Sequence, residues 1–351
     1  MLRCMRTHTQ QPGQLLFAGL PGLDVPGDLA RMIAEGRIGG VTLFARNVGE
    51  PEETRALVRE LHALAPDDAP LCVAIDQEGG RVQRLRTPWT EFPPMRAIGA
   101  NADPDMTRAI AEAIGIELAD AGFDLDFAPC CDVDSNPDNP VIGDRSFGRT
   151  PADVERHAMA FIEGLQSAGV AACAKHFPGH GDTIVDSHLT LPRLALSLER
   201  LREIELPPFH AAHAAGVASM MTAHVVLEAL DADRPATLSP RALALLRNEV
   251  GYDGLVFTDD LEMKAIADHH RPGEIVDWAL TAGVDAFLVC SLDDLRDAVL
   301  EALEEMPRER LSASLERMAR FKARWLNPAS QRPEPKGPPY PGHRALAARI
   351  T

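Results

Sequence analysis

Eight short apolar segments that alternate with longer amphipathic ones constrain the fold of this chain more than any other feature. The apolar segments cover residues 14–20, 39–45, 71–76, 123–130, 169–177, 217–225, 254–260 and 285–290. Apolar runs of this length are typical of strands buried on both faces of a parallel sheet. Between them, apolar residues recur three and four positions apart, as in amphipathic helices, at 51–64, 104–122 and 239–251. This pattern predicts an α/β protein with a single (β/α)8 TIM-type barrel.

An open, doubly wound sheet is the other common arrangement of alternating strands and helices. It is disfavoured because no G-x-G-x-x-G motif follows the first apolar segment. The last helical pattern covers residues 307–325, and the chain beyond it is rich in proline. We therefore expect residues 1–326 to form the barrel domain and residues 327–351 to form an extended tail, not a second domain.

The charge balance excludes several classes of partner. The chain has 35 Lys and Arg against 52 Asp and Glu, a formal net charge of -17, and it has no basic cluster. Nucleic acid and anionic membranes are therefore poor partners, and no apolar run is long enough to predict a membrane span. The six cysteines form no C-x-x-C pair and the N-terminus has no apolar signal segment, so we expect free thiols in a cytoplasmic protein. A monomer that binds a small-molecule substrate is the default expectation.

Polar residues end, or lie in the loop after, five of the predicted strands. In barrels of this type the active site lies at the carboxyl ends of the strands, so these residues are candidates for one site. They are Asp76, the segment 139–149, Lys175 with His176, His224, and Asp259 with Asp260. Each alone could be a helix cap or a hydrogen-bonded core residue. Five strand ends that converge on one rim indicate a functional site.

The segment KHFPGHGDTIVDSH, residues 175–188, has a composition that suits a metal site. Metal-dependent barrel hydrolases direct several His and carboxylate ligands at one point. The first strand ends in FAGLPG, without a ligand, and His180 lies between two glycines, which suits a mobile loop better than a rigid ligand. We therefore expect no catalytic metal, and a metal-dependent hydrolase is the less favoured alternative.

The same segment can instead supply an acid and a base. Asp186 and His188 are two residues apart, so in extended backbone the carboxylate can orient the imidazole and support its protonated form. No G-x-S-x-G elbow supplies a serine nucleophile, and the best-placed carboxylate at a strand end is Asp259. A carboxylate nucleophile with a separate proton donor is the machinery of retaining glycoside hydrolysis. The residues alone do not distinguish Asp259 from Asp260.

Four motifs resemble the signatures of family 3 glycoside hydrolases. They are DQEGGRVQRL at 76–85, GDRSFG at 143–148, KHFPGHGDTIVDSH at 175–188 and GLVFTDDLEM at 254–263. More narrowly, they are similar to the single-domain bacterial β-N-acetylglucosaminidases that act in peptidoglycan recycling. The resemblance extends from about residue 13 to residue 300, and the long loop motif is its most specific part.

The resemblance implies a retaining exo-β-N-acetylglucosaminidase that releases terminal β-linked N-acetylglucosamine from GlcNAc-anhydromuramyl-peptide fragments. It implies that Asp259 is the nucleophile, His188 the general acid/base and Asp186 the partner of His188. The residues that it implies for binding the sugar hydroxyls are Asp76, Arg84, Arg145, Lys175 and His176. It implies no cofactor and no metal.

Related activities are compatible with the same residues. A β-glycosidase for another sugar would use the same mechanism. An N-acetylglucosaminide phosphorylase is a further alternative, because the neutral imidazole of His188 would not repel phosphate and phosphate could then compete with water for the glycosyl-enzyme. A barrel that binds sugar without turnover is disfavoured, because competent residues fill both catalytic positions. Gly179 and Gly181 are compatible with loop closure or with a tight turn. His180 and Asp182 are expected to hold the loop's own backbone, and His224 either lines the pocket or is a satisfied core residue.

Overall fold

The computed structural model describes residues 8–185, 187, 190–326 and 336–350. Its centre is a closed barrel of eight parallel strands. In chain order the strands are β1 (Leu16–Gly19), β2 (Gly40–Leu43), β3 (Cys72–Ile75), β4 (Leu125–Asp126), β5 (Ala171–Phe177), β6 (Ser219–Thr222), β7 (Leu255–Asp260) and β8 (Ala286–Val289). Each strand lies inside one of the eight apolar segments, so the prediction of a single (β/α)8 barrel is confirmed.

The barrel closes where β1 pairs with both β2 and β8. Leu16 is in register with Phe287 on one side, and Phe17 with Gly40 on the other. The rings of Phe17 and Phe257 meet edge to face at 4.9 Å between centroids. A Cβ at Gly40 would lie 2.2 Å from a ring carbon of Phe17, so the close approach of this ring requires glycine. The barrel interior is therefore a packed core, and the site is left to the carboxyl ends of the strands.

Helices surround the barrel. Those of the described residues are α1 (Gly27–Ala34), α2 (Pro51–Leu64), α3 (Met95–Ala100), α4 (Pro104–Ala121), α5 (Pro151–Ser167), α6 (Leu198–Arg200), α7 (Pro207–Ala214), α8 (Pro240–Ala244), α9 (Lys264–Ala267), α10 (Pro272–Ala282), α11 (Asp293–Glu305), α12 (Arg308–Trp325) and α13 (Pro341–Ala347). Wider π-helical turns extend α6 over Leu201–Glu205 and α8 over Leu245–Glu249. The predicted helix at 104–122 is α4, which the Asp103 side chain caps and which ends at Gly122 with a φ of 96°.

The structure also bears on the expected state of the cysteines and on the expectation of no membrane span. The described cysteines are buried and none of them forms a disulfide: Cys72, Cys130, Cys131, Cys173 and Cys290. Cys4 lies outside the described residues. Among the described helices, none combines the length and the hydropathy needed to cross a membrane.

A short antiparallel ribbon follows β3 at the rim of the barrel. Its two strands are Gln77–Gly79 and Val82–Gln83. The Asp126 carboxylate, at the end of β4, accepts the backbone N–H of Gln77 at 2.8 Å. The side-chain oxygen of Gln77 in turn accepts the backbone N–H of Arg84 at 2.8 Å. These bonds fix both ends of the ribbon, which carry Asp76 and Arg84.

The C-terminal residues 336–350 differ from the extended tail that their proline content predicts. Pro341 is the first residue of α13, and this helix packs against α4. Proline restricts a helix interior but suits its first turn, so the composition alone gave the wrong local structure here. The boundary between barrel domain and tail at residue 326 stays a prediction.

Asp120 of α4 anchors this C-terminal segment. It accepts the backbone N–H groups of Lys336 and Gly337 at 2.5 and 2.6 Å, and the Tyr340 hydroxyl also donates to it. Asp120→Ala is expected to lower the free energy of unfolding by about 1–3 kcal/mol, because three donors lose a charged acceptor. Chemical denaturation measures this loss, and Asp105→Ala at the exposed start of α4 is the control, with an expected change within about 0.5 kcal/mol. Equal denaturation midpoints for the two variants would contradict the anchoring role.

Candidate active site

A cavity of about 290 Å³ opens at the carboxyl ends of the barrel strands. Six of the eight predicted site residues line it: Asp76, Arg84, Arg145, Lys175, His176 and Asp259. The other two, Asp186 and His188, lie outside the described residues. The structure therefore brings the predicted sugar-binding residues and the predicted nucleophile together, and the acid/base pair stays a prediction.

Charged side chains around the cavity form one network of alternating sign. The Lys175 ammonium lies 2.7 Å from an oxygen of Asp76 and 2.7 Å from an oxygen of Glu78. Arg84 donates to the second oxygen of Asp76 at 3.1 Å. Arg145 donates to both oxygens of Glu78, at 2.9 and 2.8 Å. Paired in this way, the cations and carboxylates have fixed directions, which is what recognition of a ligand with many hydroxyls requires.

Glu78 holds two of these cations and is not among the residues that the sequence analysis selects. Its side chain is 1% exposed. Burial alone would raise the pKa of Glu78, but the adjacent Arg145 and Lys175 outweigh burial and hold the pKa well below its ordinary value. A signal for Glu78 exists in the sequence, because it follows Asp76 by two residues in extended backbone and so projects to the same side.

Asp132 is a second site residue that the sequence analysis missed. It accepts a bond from the Nδ1 atom of His176 at 2.7 Å and the backbone N–H of His180 at 2.7 Å. Burial would raise the pKa of Asp132, but the His176 imidazole and these bonds outweigh it and lower the pKa to about 2. The Nε2 atom of His176 lies 3.4 Å from Arg145, at the cavity. The ionised Asp132 thus fixes the ring of His176, with Nε2 beside Arg145.

Loss of the Asp132 charge is expected to reduce kcat/KM. Asp132→Asn replaces a charge-assisted hydrogen bond to His176, and such bonds are worth about 1.5–3 kcal/mol, or about ten- to a hundredfold in rate. Steady-state kinetics measure the loss. The matched control is Asp134→Asn, since Asp134 is also buried but pairs with Arg96 at 2.7 Å. Equal kcat/KM values for the two variants would rule out an orienting role for Asp132.

Asp259 and Asp260, at the end of β7, differ in charge. Burial would raise the pKa of Asp259, but the nearby His176 and His224 imidazoles and the backbone N–H of Asp260 outweigh it and lower the pKa below its ordinary value. Burial, together with the Glu262 carboxylate, raises the pKa of Asp260 to about 7. Near neutral pH, Asp259 is therefore ionised while Asp260 is partly protonated. This difference in charge cannot be read from the sequence, and it favours Asp259 as the anionic nucleophile.

The loop that follows β5 packs on the segment that follows β4. The Asn139 side chain donates to the backbone carbonyls of His180 and Gly181 at 2.8 and 3.0 Å. A Cβ at Gly181 would lie 1.7 Å from the carbonyl oxygen of Val133. This glycine therefore permits close contact between two backbones, which favours a packing role over a role in loop closure alone.

Two histidines with open roles in the sequence are buried and hydrogen-bonded. The ring nitrogens of His180 lie 2.9 Å from the Thr183 hydroxyl and 2.9 Å from the Ser187 hydroxyl. His180 thus holds its own loop, as expected, although its ring also lines the cavity. His224 lies 2.8 Å from the Thr237 hydroxyl and 3.0 Å from a backbone oxygen of β7. It is a satisfied core residue whose ring lies close enough to Asp259 to stabilise the carboxylate.

Within the described residues, one group of side chains has the composition of a metal site: the ligand atoms of Cys130, Asp132 and His176 lie within 4.8 Å of one another. These atoms already bond to each other, with the Cys130 thiol donating to Asp132 at 3.2 Å. Burial also raises the pKa of the Cys130 thiol, which disfavours the thiolate that a metal would bind. The group is accordingly explained by its own hydrogen bonds.

Comparison with known proteins gives concordant matches. The model of the glycosyl hydrolase family 3 N terminal domain matches residues 11–321. A beta-hexosaminidase of Thiobacillus denitrificans is 42% identical over 296 residues, which cover 82% of this chain and 81% of that protein. A family 3 beta-N-acetylglucosaminidase structure from Paenibacillus sp. has a TM-score of 0.92 at 40% identity, over 97% of this chain and 68% of that chain. The structure of NagZ from Neisseria gonorrhoeae in complex with N-trifluoroacetyl-D-glucosamine has a TM-score of 0.80 at 31% identity. The match covers 97% of this chain and 98% of that chain.

A polar, charge-lined cavity at the carboxyl ends of the strands is where (β/α)8-barrel enzymes have their active sites. Because the family model matches most of the chain, the chain belongs to glycoside hydrolase family 3. It is a glycoside hydrolase, and the family resemblance of its four motifs is confirmed.

Proposed function

We propose that this glycoside hydrolase is an exo-acting β-N-acetylhexosaminidase that releases terminal β-linked N-acetylglucosamine with retention of configuration. The observation that carries the proposal is that Asp259 faces a cavity of about 290 Å³ in which ion pairs fix the side chains of Asp76, Arg84, Arg145 and Lys175. This volume is close to the lower end of ligand pockets, about 300 Å³, and suits one sugar unit. The names of the relatives support N-acetylglucosamine as that unit.

Sugar binding is assigned to the charged network. Lys175 and Arg145 present donors, and Asp76 presents an acceptor, at fixed positions around the cavity. Within the described residues, the Nε atom of Arg84 is buried without a hydrogen-bond partner. A buried N–H without a partner is costly, so this atom is a donor that a sugar hydroxyl would satisfy.

In the proposed mechanism, the Asp259 carboxylate attacks the anomeric carbon while a proton passes from His188 to the departing glycosidic oxygen. The bond to the aglycone breaks and an ester between Asp259 and the sugar forms. Water then adds to the anomeric carbon as His188 takes a proton from it, and Asp259 departs as a carboxylate. Asp186 would hold the imidazole and stabilise its protonated form.

We also propose GlcNAc-anhydromuramyl-peptide fragments of recycled peptidoglycan as substrates, in the cytoplasm, for a monomeric enzyme without a metal or cofactor. The similarity to NagZ over nearly the whole of both chains supports this assignment. The acidic net charge and the lack of basic clusters agree with a small-molecule substrate and not with nucleic acid or anionic membranes.

Hydrolysis of nitrophenyl glycosides, with a chelator present, tests the proposed function. We expect turnover of the β-N-acetylglucosaminide, little or no turnover of the β-glucoside, and no effect of the chelator. Preference for the glucoside would overturn the substrate and keep the mechanism, while inactivation by the chelator would support the metal-dependent alternative. The same assay in phosphate buffer yields a sugar 1-phosphate only if the chain is a phosphorylase.

A further inference from the structure

Glu205 is a buried carboxyl group that the proposed mechanism does not use. It ends the π-helical turn after α6, and its side chain is 1% exposed. One oxygen lies 3.2 Å from the guanidinium of Arg200 and 3.5 Å from the Ser135 hydroxyl. Within the described residues, the other oxygen, Oε2, has no hydrogen-bond partner. A buried carboxylate oxygen without a partner is costly, so this group calls for a physical explanation.

The unpartnered oxygen lies against the loop that leads from β5 toward Asp186 and His188. A Cβ at Gly179 would lie 2.7 Å from this oxygen, and Gly179 has a φ of +128°, which favours glycine. The backbone N–H of Gly179 donates to the carbonyl of His176 at 2.8 Å. The position of the Glu205 carboxyl is therefore coupled by direct packing to Gly179, three residues after His176, and to the loop beyond it.

The charges that face Glu205 come from three elements. Arg200 precedes it on α6, Asp132 lies on the segment after β4, and Asp182 lies on the loop itself. Burial, with a further contribution from the two aspartates, raises the pKa of Glu205 to about 8, against a smaller opposing effect of Arg200. The packed loop therefore holds a neutral carboxyl at neutral pH. Because the ordinary pKa is 4.5, the packed arrangement weakens as the pH rises from that value through about 8.

We propose that Glu205 is a positioning residue whose neutral carboxyl supports the loop of residues 178–185, and that its ionisation displaces this loop and lowers activity. When the proton leaves, a charge that Arg200 contacts at only one of the two oxygens lies beside Gly179 and near two carboxylates. Relief requires the loop to move away or water to enter. The kinetic consequence rests on the proposed function, since it assumes that the loop delivers the acid/base residue.

The kinetic test compares the wild type with Glu205→Gln, which keeps the shape of the neutral carboxyl. At about pH 9, one unit above its pKa, Glu205 is about 90% ionised, so wild-type kcat/KM is expected to fall up to about tenfold more than that of the variant between about pH 6 and pH 9. Glu203→Gln is the matched control, because Glu203 is exposed on the same turn. Parallel pH profiles for the wild type and Glu205→Gln would overturn the proposal.

Hydrogen exchange of a peptide that covers residues 178–185 tests the same proposal without enzymatic turnover. After correction for the intrinsic exchange rate, we expect the protection of the wild-type loop to fall between about pH 6 and pH 9 and that of Glu205→Gln to stay constant. Constant protection in the wild type would overturn the inference even if the variant failed to fold. Loss of protection in a protein that hydrolyses no N-acetylglucosaminide would support the role of Glu205 and reject the proposed function.

Discussion

Asp259→Ala is expected to lower kcat by about 10⁴-fold or more, the order of loss that follows removal of a covalent nucleophile. The physical reason is that the ester with the anomeric carbon can no longer form, while the charged network that binds the sugar stays in place. Added azide, a small anion that fits the space of the missing carboxylate, is expected to restore part of the activity and to give the glycosyl azide of inverted configuration. Product analysis by NMR measures both outcomes.

The matched control is Asp260→Asn. The Asp260 carboxyl accepts the backbone N–H of Glu262 at 3.1 Å, which is a positioning contact, and its raised pKa makes it a poor anion near neutral pH. We expect kcat to fall by less than about tenfold, the cost of one hydrogen bond. A larger loss in Asp260→Asn than in Asp259→Ala would reverse the assignment of the nucleophile.

Glu78→Gln is expected to have the second-largest effect, on both stability and binding. Glu78 is 1% exposed and neutralises Arg145 and Lys175, so removal of its charge leaves two buried cations with one fewer partner. Breaking a buried ion pair in this way costs about 3–5 kcal/mol of unfolding free energy. We also expect a higher KM for the N-acetylglucosaminide, because the two cations lose their fixed positions.

Chemical denaturation and steady-state kinetics check this prediction. Glu91→Gln is the control, because Glu91 is exposed and pairs with Arg86 on the surface of the same loop.

The contribution of Glu78 to the free energy of unfolding also depends on pH. The pKa of Glu78 in the folded protein lies below its ordinary value of 4.5, so its stabilising contribution is fully present above that pH and is lost as the pH falls toward the folded-state value. A difference in stability between wild type and Glu78→Gln that grows in acid would contradict the ion-pair network.

The fold could be predicted from the sequence because the spacing of apolar residues depends directly on which side chains are buried. All eight strands lie within the apolar segments, and α2 has the bounds of the predicted helix at 51–64. The exception is the C-terminal segment, where proline begins α13 and Asp120 supplies the anchor. That contact joins residues more than 200 positions apart, and local composition does not encode such a contact.

Site residues are predictable where a polar group directly ends an apolar strand. Lys175 and Asp259 meet this condition, and both line the cavity. Asp132 is missed because it comes two residues after the predicted end of the fourth strand, and Glu78 because its neighbour Asp76 already accounts for the strand end. The charge states of Asp259 and Asp260 depend on burial and on groups from other strands, so they require the three-dimensional arrangement.

Glu205 shows the limit of local pattern most clearly. It lies outside all four motifs, and only the folded chain brings its carboxyl against Gly179. The roles of Asp186 and His188, in turn, depend on the family resemblance, because both lie outside the described residues.

Identification of the residue that becomes glycosylated is the most direct test of the central claim, a covalent intermediate on Asp259. A 5-fluoro N-acetylglucosaminyl fluoride forms the intermediate quickly and slows its hydrolysis, so that the modified protein can be digested and its peptides sequenced by mass spectrometry. We expect one fluorinated N-acetylhexosamine on the peptide that contains β7, attached to Asp259. Attachment to Asp260 or to another residue, or turnover of the reagent without any adduct, would contradict the mechanism.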